Sequence, residues 1–326
     1  MLRQAAGVLA RTANVHLGLA NLSSHCGLEW LVERYGAHRV VFGTGAPVRD
    51  PAESVTRLLW SELDDQSVAA IGAGNLRGAC CARKRGRRER PGGGGVEARA
   101  RKGPCGSWTR TRTRGPYSLF FIPDAGRGGL VRVMDRCGVS HAVISSHLAI
   151  QLDAAEGNAQ TAEIVAQAAD RFTGYLTVNP WQDPAGELDK WGRDTRFGGI
   201  KLHPDLHDYP LTGRRYAPVW EFAQRTGCPV LTHTYDGSPY NDLPMVDEVA
   251  ARHPGVVILA GHAGATPLGF DAAIEVAQRR PGVVLEVCGS FNTGADIATM
   301  VREVGADRVV YGSDFPFIDL RMSLGR

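Results

Sequence analysis

The chain has 326 residues, 43% of them hydrophobic, enough for one large domain with a sizeable core and sequence to spare. Its net charge of +3 is uneven: residues 82–115 hold twelve Lys/Arg and two acids, giving +10, so the remainder is acidic at −7. No apolar run is long enough to span a bilayer, and seven cysteines without a CxxC pair exclude a disulfide scaffold or a Cys-based zinc module, which places the chain in a reducing, cytoplasmic setting with no membrane partner.

Residues 1–81 begin with Arg3 and Arg11 and no acid before Glu29, faintly like a transit peptide, although a piece of a folded domain is the plainer reading. Within it, Gly36 to Pro47 aligns without gaps to Gly305 to Pro316. This repeats one strand–helix unit and is no solenoid. Glu53–Leu63 and Gln66–Ile71 read as the closing helices of such a unit. At the position of Asp314 the first copy has Gly45, which can neither ligate a metal nor carry a proton, so that copy is expected to be inert.

Residues 82–116 lack hydrophobic periodicity and include four consecutive glycines from Gly92. Such a segment cannot bury enough apolar surface to offset backbone ordering and reads as a disordered linker. Non-specific nucleic-acid binding through Arg83 to Arg114 is the rival role, by salt-sensitive phosphate contacts. Only Trp108 could stack on a base there, so the expectation is against it.

From Val139 onward short apolar runs alternate with amphipathic stretches. The strands are predicted at Ala142–Ser145, Thr173–Val178, Gly199–Leu202, Val230–Thr232, Val256–Ala260, Val283–Val287 and Arg308–Tyr311. Helices are predicted at Asn158–Ala169, Tyr216–Arg225, Met245–Arg252, Phe270–Arg280 and Ile297–Val304. Apolar strands alternating with helices mean a parallel sheet covered by helices, here an α/β fold of the (β/α)8 barrel type. Seven strands are one short of closure. The first strand and the last helix are expected to be missing from 117–326.

Three of these strands end in groups that can do chemistry: His233 in Leu231-Thr232-His233, His262 in Gly261-His262-Ala263-Gly264, and Asp314 in Gly312-Ser313-Asp314-Phe315-Pro316. Lys201 and His203 share Gly199-Ile200-Lys201-Leu202-His203-Pro204. Residues at the carboxyl ends of barrel strands surround the active site, and two imidazoles with a carboxylate suit a metal ion. A lone histidine after a strand is more often structural, and Asp314 could simply cap a turn. His207 and Asp208 are expected to face solvent.

With those four motifs in that order, residues 117–320 resemble the amidohydrolase-related family of metal-dependent hydrolases, which includes the aminocarboxymuconate-semialdehyde decarboxylase type. Residues 15–80 resemble the C-terminal quarter of a second member. The resemblance implies a TIM barrel binding a divalent metal, most plausibly zinc, through His233 and Asp314. In it Asp314 and His262 act on a metal-activated water and Lys201 and His203 line the substrate pocket. Lys201 could alternatively be a carboxylated bridging ligand. The expected activity is hydrolysis, with decarboxylation of an unsaturated carboxylic acid as the alternative. The partner is a small-molecule substrate, with homo-oligomer formation also compatible.

The chain departs from the family in one respect: the His-x-His motif of the first strand, which supplies two metal ligands, is absent. Trp108 to Thr113 can be encoded as TGG ACG CGC ACG CGC ACN. Read two bases later, this gives Asp-Ala-His-Ala-His, the missing motif. That suggests a frame change over the first strand of the second unit; a verified DNA reading without those bases would remove the suggestion. As written, the chain is expected to bind metal weakly and turn over little. A non-catalytic scaffold is the remaining reading, with Val40–Phe42 filling the vacant strand position and the helices from Glu53 covering the open end.

Overall fold

The computed structural model describes residues 2–46, 49–77, 108–109, 113–114, 121–289 and 291–326. Its strands, in chain order, are β1 (Leu17–Gly18), β2 (Val40–Val41), β3 (Trp108–Thr109), β4 (Thr113–Arg114), β5 (His141–Ser146), β6 (Phe172–Thr177), β7 (Phe197–Leu202), β8 (Val230–His233), β9 (Ile258–Gly261), β10 (Val283–Glu286) and β11 (Val309–Val310). Strands β5 to β11 pair in sequence order, every pair parallel. This is the half-barrel of an incomplete (β/α)8 fold.

Helices between consecutive strands cover one face of the sheet. Every second strand residue therefore faces the helices: Leu176, Ile200, Leu202, Val230, Ile258, Ala260, Val283 and Leu285 join the main core with Trp220, Phe222 and Phe270. The alternate residues Tyr175, Leu231 and Leu259 form a separate interior cluster, packed against Val143, Val284 and Val310. The helices begin earlier than the apolar period predicts because capping groups start them. Asp242 and Thr266 cap helices Leu243–Arg252 and Pro267–Arg279, each with proline in the first turn, and Thr293 with Asp296 forms a capping box for Gly294–Val304.

Among the described residues, two dipeptide strands occupy the first-strand position. In β3, Trp108 pairs with His141, and in β4, Thr113 pairs with Ser145, both parallel to β5. The remainder of the basic linker, including residues 110–112 of the alternative coding frame, lies outside the described residues. β3 and β11 end the strand order.

Residues 2–77 have a small core of their own, built from Leu9, Leu19, Leu28, Leu31, Val40, Leu58 and Ile71 with others. Val40–Val41 does not enter the main sheet, as the scaffold reading required; it pairs with Leu17–Gly18. Helix Pro51–Leu59 does cover the chain's end, packing on helix Leu320–Leu324. The junction is polar at its centre. The Arg321 guanidinium, fully buried, holds the equally buried Asp319 (Nη2–Oδ2 2.6 Å, Nε–Oδ1 2.8 Å) and reaches Glu29 (Nη2–Oε2 3.1 Å). Burial, the largest single influence, would raise the Asp319 pKa, but the charge and hydrogen bonding of Arg321, with His25 and Arg57, together outweigh it and hold the carboxyl below its usual range. Cys26 and the barrel's Leu130, Val133, Phe315 and Leu320 share one apolar cluster.

A buried carboxylate that loses its partner costs far more than the pair contributes. Arg321→Ala is therefore expected to lower unfolding stability by about 3–5 kcal/mol in urea titrations, whereas a loss below about 1 kcal/mol, the range of surface pairs, would show that the junction carries no buried charge network.

Candidate active site

Strand alternation decides which polar side chains turn inward. On β7, Ile200 and Leu202 face the helices, so Lys201 faces the interior, only 4% exposed. On β8, Leu231 lies inside and His233 follows it on the same face. On β10, Val284 and then Glu286 do the same, with Glu286 completely buried. Just past the strand ends, His262 (φ 68°) and Asp314 (φ 52°) adopt the left-handed backbone region. Residues with a Cβ enter it at some cost, so the surrounding structure must hold them there.

The five residues singled out from sequence meet around one cavity. Lys201, His203, His233, His262 and Asp314 line a space of about 160 Å³ together with His147, Ile150, Leu206 and Phe317. An adjoining space of about 180 Å³ shares His233, His262 and Asp314 and adds Tyr235, Phe270, Cys288 and Phe291. The rings of His203 and His233 stack at 4.2 Å between centroids, and His262 meets His233 edge-on at 4.4 Å. His233 Nε2 lies 3.4 Å from Asp205 Oδ2, and Asp205 in turn accepts from Ser238 Oγ and Asn241 Nδ2, both at 2.6 Å. The amide of His262 donates to Glu286 Oε2 at 3.3 Å. The Cys288 thiol donates to the same oxygen at 2.8 Å and lies 3.2 Å from His262 Nδ1. Gly312 makes room for this group, because a Cβ there would overlap Glu286 Oε1.

Burial sets the charge state of the pocket. It lowers His203 and His233 well below the ordinary histidine value, aided at His203 by Lys201, His207 and His262 and at His233 by His203, His262 and Lys201, so both rings are neutral near pH 7. Burial also lowers the Lys201 amine, opposed by Cys288, Glu286 and Asp314, and raises the Cys288 thiol, which stays protonated.

Glu286, Cys288, Asp205 and His147 escaped the sequence reading. Glu286 closes an apolar run, and only its place two residues beyond Val284 marks it as inward. His207 corrects an expectation: it is 3% exposed, while Asp208 is exposed as expected. Its Nε2–H donates to the Ile150 carbonyl at 3.0 Å and its Nδ1 accepts from the Tyr216 hydroxyl at 2.7 Å. Leu206 and His203 turn toward the cavity on the same short helix, so His207 turns under it.

Two donors, His233 and Asp314, face the cavity as metal-ligand candidates. No group of three His, Cys, Asp or Glu side chains among the described residues is arranged to hold an ion. His262 is drawn toward Glu286 and Cys288, and the Lys201 ammonium shares the same space. The donor set among the described residues does not fit a divalent metal.

Residues 125–326 match the amidohydrolase family. The gamma-resorcylate decarboxylase of Polaromonas sp. is 25% identical over 276 residues, which is 66% of this chain and 82% of the relative. Among solved structures, a dihydroxybenzoic acid decarboxylase from Polaromonas sp., with bound manganese and the inhibitor 2-nitroresorcinol, superposes with a TM-score of 0.54 at 17% identity, covering 68% of this chain and 90% of that one. A 5-carboxyvanillate decarboxylase from Novosphingobium aromaticivorans, complexed with manganese and 4-hydroxy-3-methoxy-5-nitrobenzoic acid, gives 0.51 at 16% identity, covering 67% and 89%. The structural likeness shows the fold. No helix among the described residues is long and apolar enough to cross a membrane.

The neutral His207 has a consequence for acid stability. Burial lowers its pKa from 6.5 to about 4. Above pH 6.5 the ring is neutral in folded and unfolded chains alike. Below it the unfolded chain takes up a proton that the folded chain refuses until about pH 4, so stability falls across that window by up to about 3 kcal/mol. His207→Gln keeps a donor and an acceptor but cannot titrate. Urea titrations at pH 7 and pH 4.5 are expected to show an acid loss smaller by about 2–3 kcal/mol in the variant; an unchanged loss would mean that His207 does not resist protonation.

Proposed function

The chain belongs to the amidohydrolase family, and we propose that its barrel is a carboxy-lyase site for a hydroxylated, unsaturated or aromatic carboxylic acid. Hydrolysis through an activated water was the first expectation. The named relatives are decarboxylases, which favours the alternative. The observation that carries the reading is Lys201: a buried amine in a cavity whose other walls include Ile150, Leu206 and Phe317. A cation beside apolar walls suits a carboxylate on a flat ring. The charge-assisted contact at Lys201 orients the acid, and Phe317 offers its ring to the ring of the substrate.

The reaction needs a proton delivered to the ring carbon that bears the carboxylate. The bond to the carboxyl carbon then breaks, its electron pair returns to the ring, and carbon dioxide leaves. Asp314 is the carboxyl group placed to carry that proton, from a backbone conformation that fixes its direction. His262, with its amide held by Glu286 and its ring beside Cys288, faces the substrate oxygens. The neutral His203 and His233 keep added positive charge away from Lys201. A divalent ion would supply further polarisation of the substrate oxygens, but the donors among the described residues do not assemble a site for one. The reading is therefore of a pocket that binds its acid and turns it over slowly.

Calorimetric titration with gamma-resorcylate tests this. Lys201→Met is expected to weaken binding by about 10- to 100-fold, the worth of one charge-assisted hydrogen bond. Carbon dioxide release by the unaltered chain is expected to be slow, and dialysis against a mild chelator to leave it well short of stoichiometric zinc or manganese. Equal affinity in the variant would remove the role given to Lys201, and stoichiometric metal after dialysis would remove the incomplete donor set.

A further inference from the structure

The cavity at the strand ends has two lobes of similar size. The lobe of about 160 Å³ holds Lys201 with Ile150, Leu206 and Phe317, and the lobe of about 180 Å³ meets it along His233, His262 and Asp314. A single ring held at Lys201 occupies the first lobe and leaves the second unused. Beyond the three shared residues, the second lobe is lined by no carboxylate, imidazole or cation among the described residues. Its walls are Tyr235, Ala265, Phe270 and Phe291. The polar groups beside them are already engaged. The Cys288 thiol donates to Glu286 Oε2 at 2.8 Å. The Asn292 amide donates to the Cys288 carbonyl at 3.4 Å and accepts from Arg326 Nη1 at 2.8 Å. A ligand group entering this lobe therefore gains by leaving water, and little by hydrogen bonding.

The far wall is braced from behind. Arg326 Nη1 also donates to the Gly289 carbonyl, and its Nε donates to Glu53 Oε1 at 2.6 Å, with both side chains almost fully buried. Gly289 and Asn292 are thus tied to helix Pro51–Leu59 of the N-terminal segment. Gly289 has φ 109°, and a Cβ there would lie 2.9 Å from His262 Nδ1, so glycine lets the wall begin this close to the imidazole. A wall already held in place spares a ligand the cost of ordering it. Phe291 and Tyr235 are half exposed, so the outer end of the lobe meets solvent.

We propose that the second lobe is a subsite for an apolar arm of the substrate, and that the chain takes an aromatic acid with a short alkyl chain on the ring carbon next to its carboxylate. The inference rests on the carboxy-lyase reading above. In that reading Asp314 acts at the ring carbon that bears the carboxylate, and Asp314 stands on the wall common to both lobes. That ring carbon is therefore at the neck, and a substituent on its neighbour is the one that turns into the second lobe.

Calorimetric titration with orsellinate, which carries a methyl group beside its carboxylate, and with its pentyl homologue compares acids that differ by four methylenes. A fully buried methylene is worth about fourfold in affinity, and a half-open lobe retains part of that, so the pentyl acid is expected to bind about 10- to 100-fold tighter. Ala265→Leu, which puts a larger side chain into the lobe, is expected to bring that ratio below about threefold. Should this variant fail to fold, Phe291→Ala, at an exposed ring, is expected to cut the ratio by about 3- to 10-fold. Equal affinities in the unaltered chain, or a ratio that survives either substitution in a folded variant, overturn the subsite. The acid site itself is read separately: Lys201→Met weakens both acids alike where that site is correct, whatever the arm contributes. Undetectable binding of both acids overturns the two readings together.

Discussion

Parallel pairing of β5 to β11 is the constraint on which everything else rests. Because the strands run in one direction, their carboxyl ends fall on one rim, and the period of two fixes which side chains point inward there. Lys201 and His233 line the cavity, and Glu286 turns inward behind His262, because Ile200, Val230 and Leu285 must face the helices. A slip of one residue on β7 would bury Lys201 against the helical layer and bring Leu202 into the pocket. The hydrophobic core therefore enforces the geometry of the polar groups without touching them.

The same burial that positions these groups decides their protonation. Desolvation is the largest influence on His203, His233 and His207 and prevails there, leaving His203 and His233 as stacked neutral rings and His207 as a neutral ring bonded to Tyr216 and the Ile150 carbonyl. Lys201 is opposed by the same effect but has Glu286 and Asp314 in its surroundings. Without a third ligand of suitable geometry among the described residues, the pocket's charge chemistry centres on that amine and those two carboxylates.

Much of this could be read from sequence because strong periods are local. The seven strands after Val139 and five of the helices among them follow from apolar spacing, whereas helix Pro184–Trp191 does not, and the candidate groups stand where those periods end. Helix starts were misplaced, since a cap such as Asp242 or Thr266 precedes the first apolar residue and carries no periodic signal. Glu286 is hidden for the converse reason: it continues a strand of Val and Leu, and its partner His262 lies on the neighbouring strand's end, 24 residues away along the chain. His207 looked solvent-facing beside Asp208. Only the packing of Tyr216 and the Ile150 carbonyl against it shows otherwise.

The two ends of the barrel are treated differently by the chain. At β11, helix Pro51–Leu59 packs on the final helix, and Glu29 and Glu53 pair with Arg321 and Arg326. At β5, the neighbouring position holds β3 and β4 among the described residues. Their registers against β5, Trp108 with His141 and Thr113 with Ser145, run in the same direction and differ by a single residue, as one strand with a local irregularity would. The backbone of Trp108–Thr109 and of Thr113–Arg114 thus lies where a first strand would, although the sequence there has no apolar face to recommend it. Edge pairing explains this: the outer edge of β5 presents unpaired amide and carbonyl groups whatever the side chains of its neighbour. Backbone hydrogen bonding can restore a strand there whatever its side chains, but it supplies none of the imidazoles with which a first strand would add metal ligands.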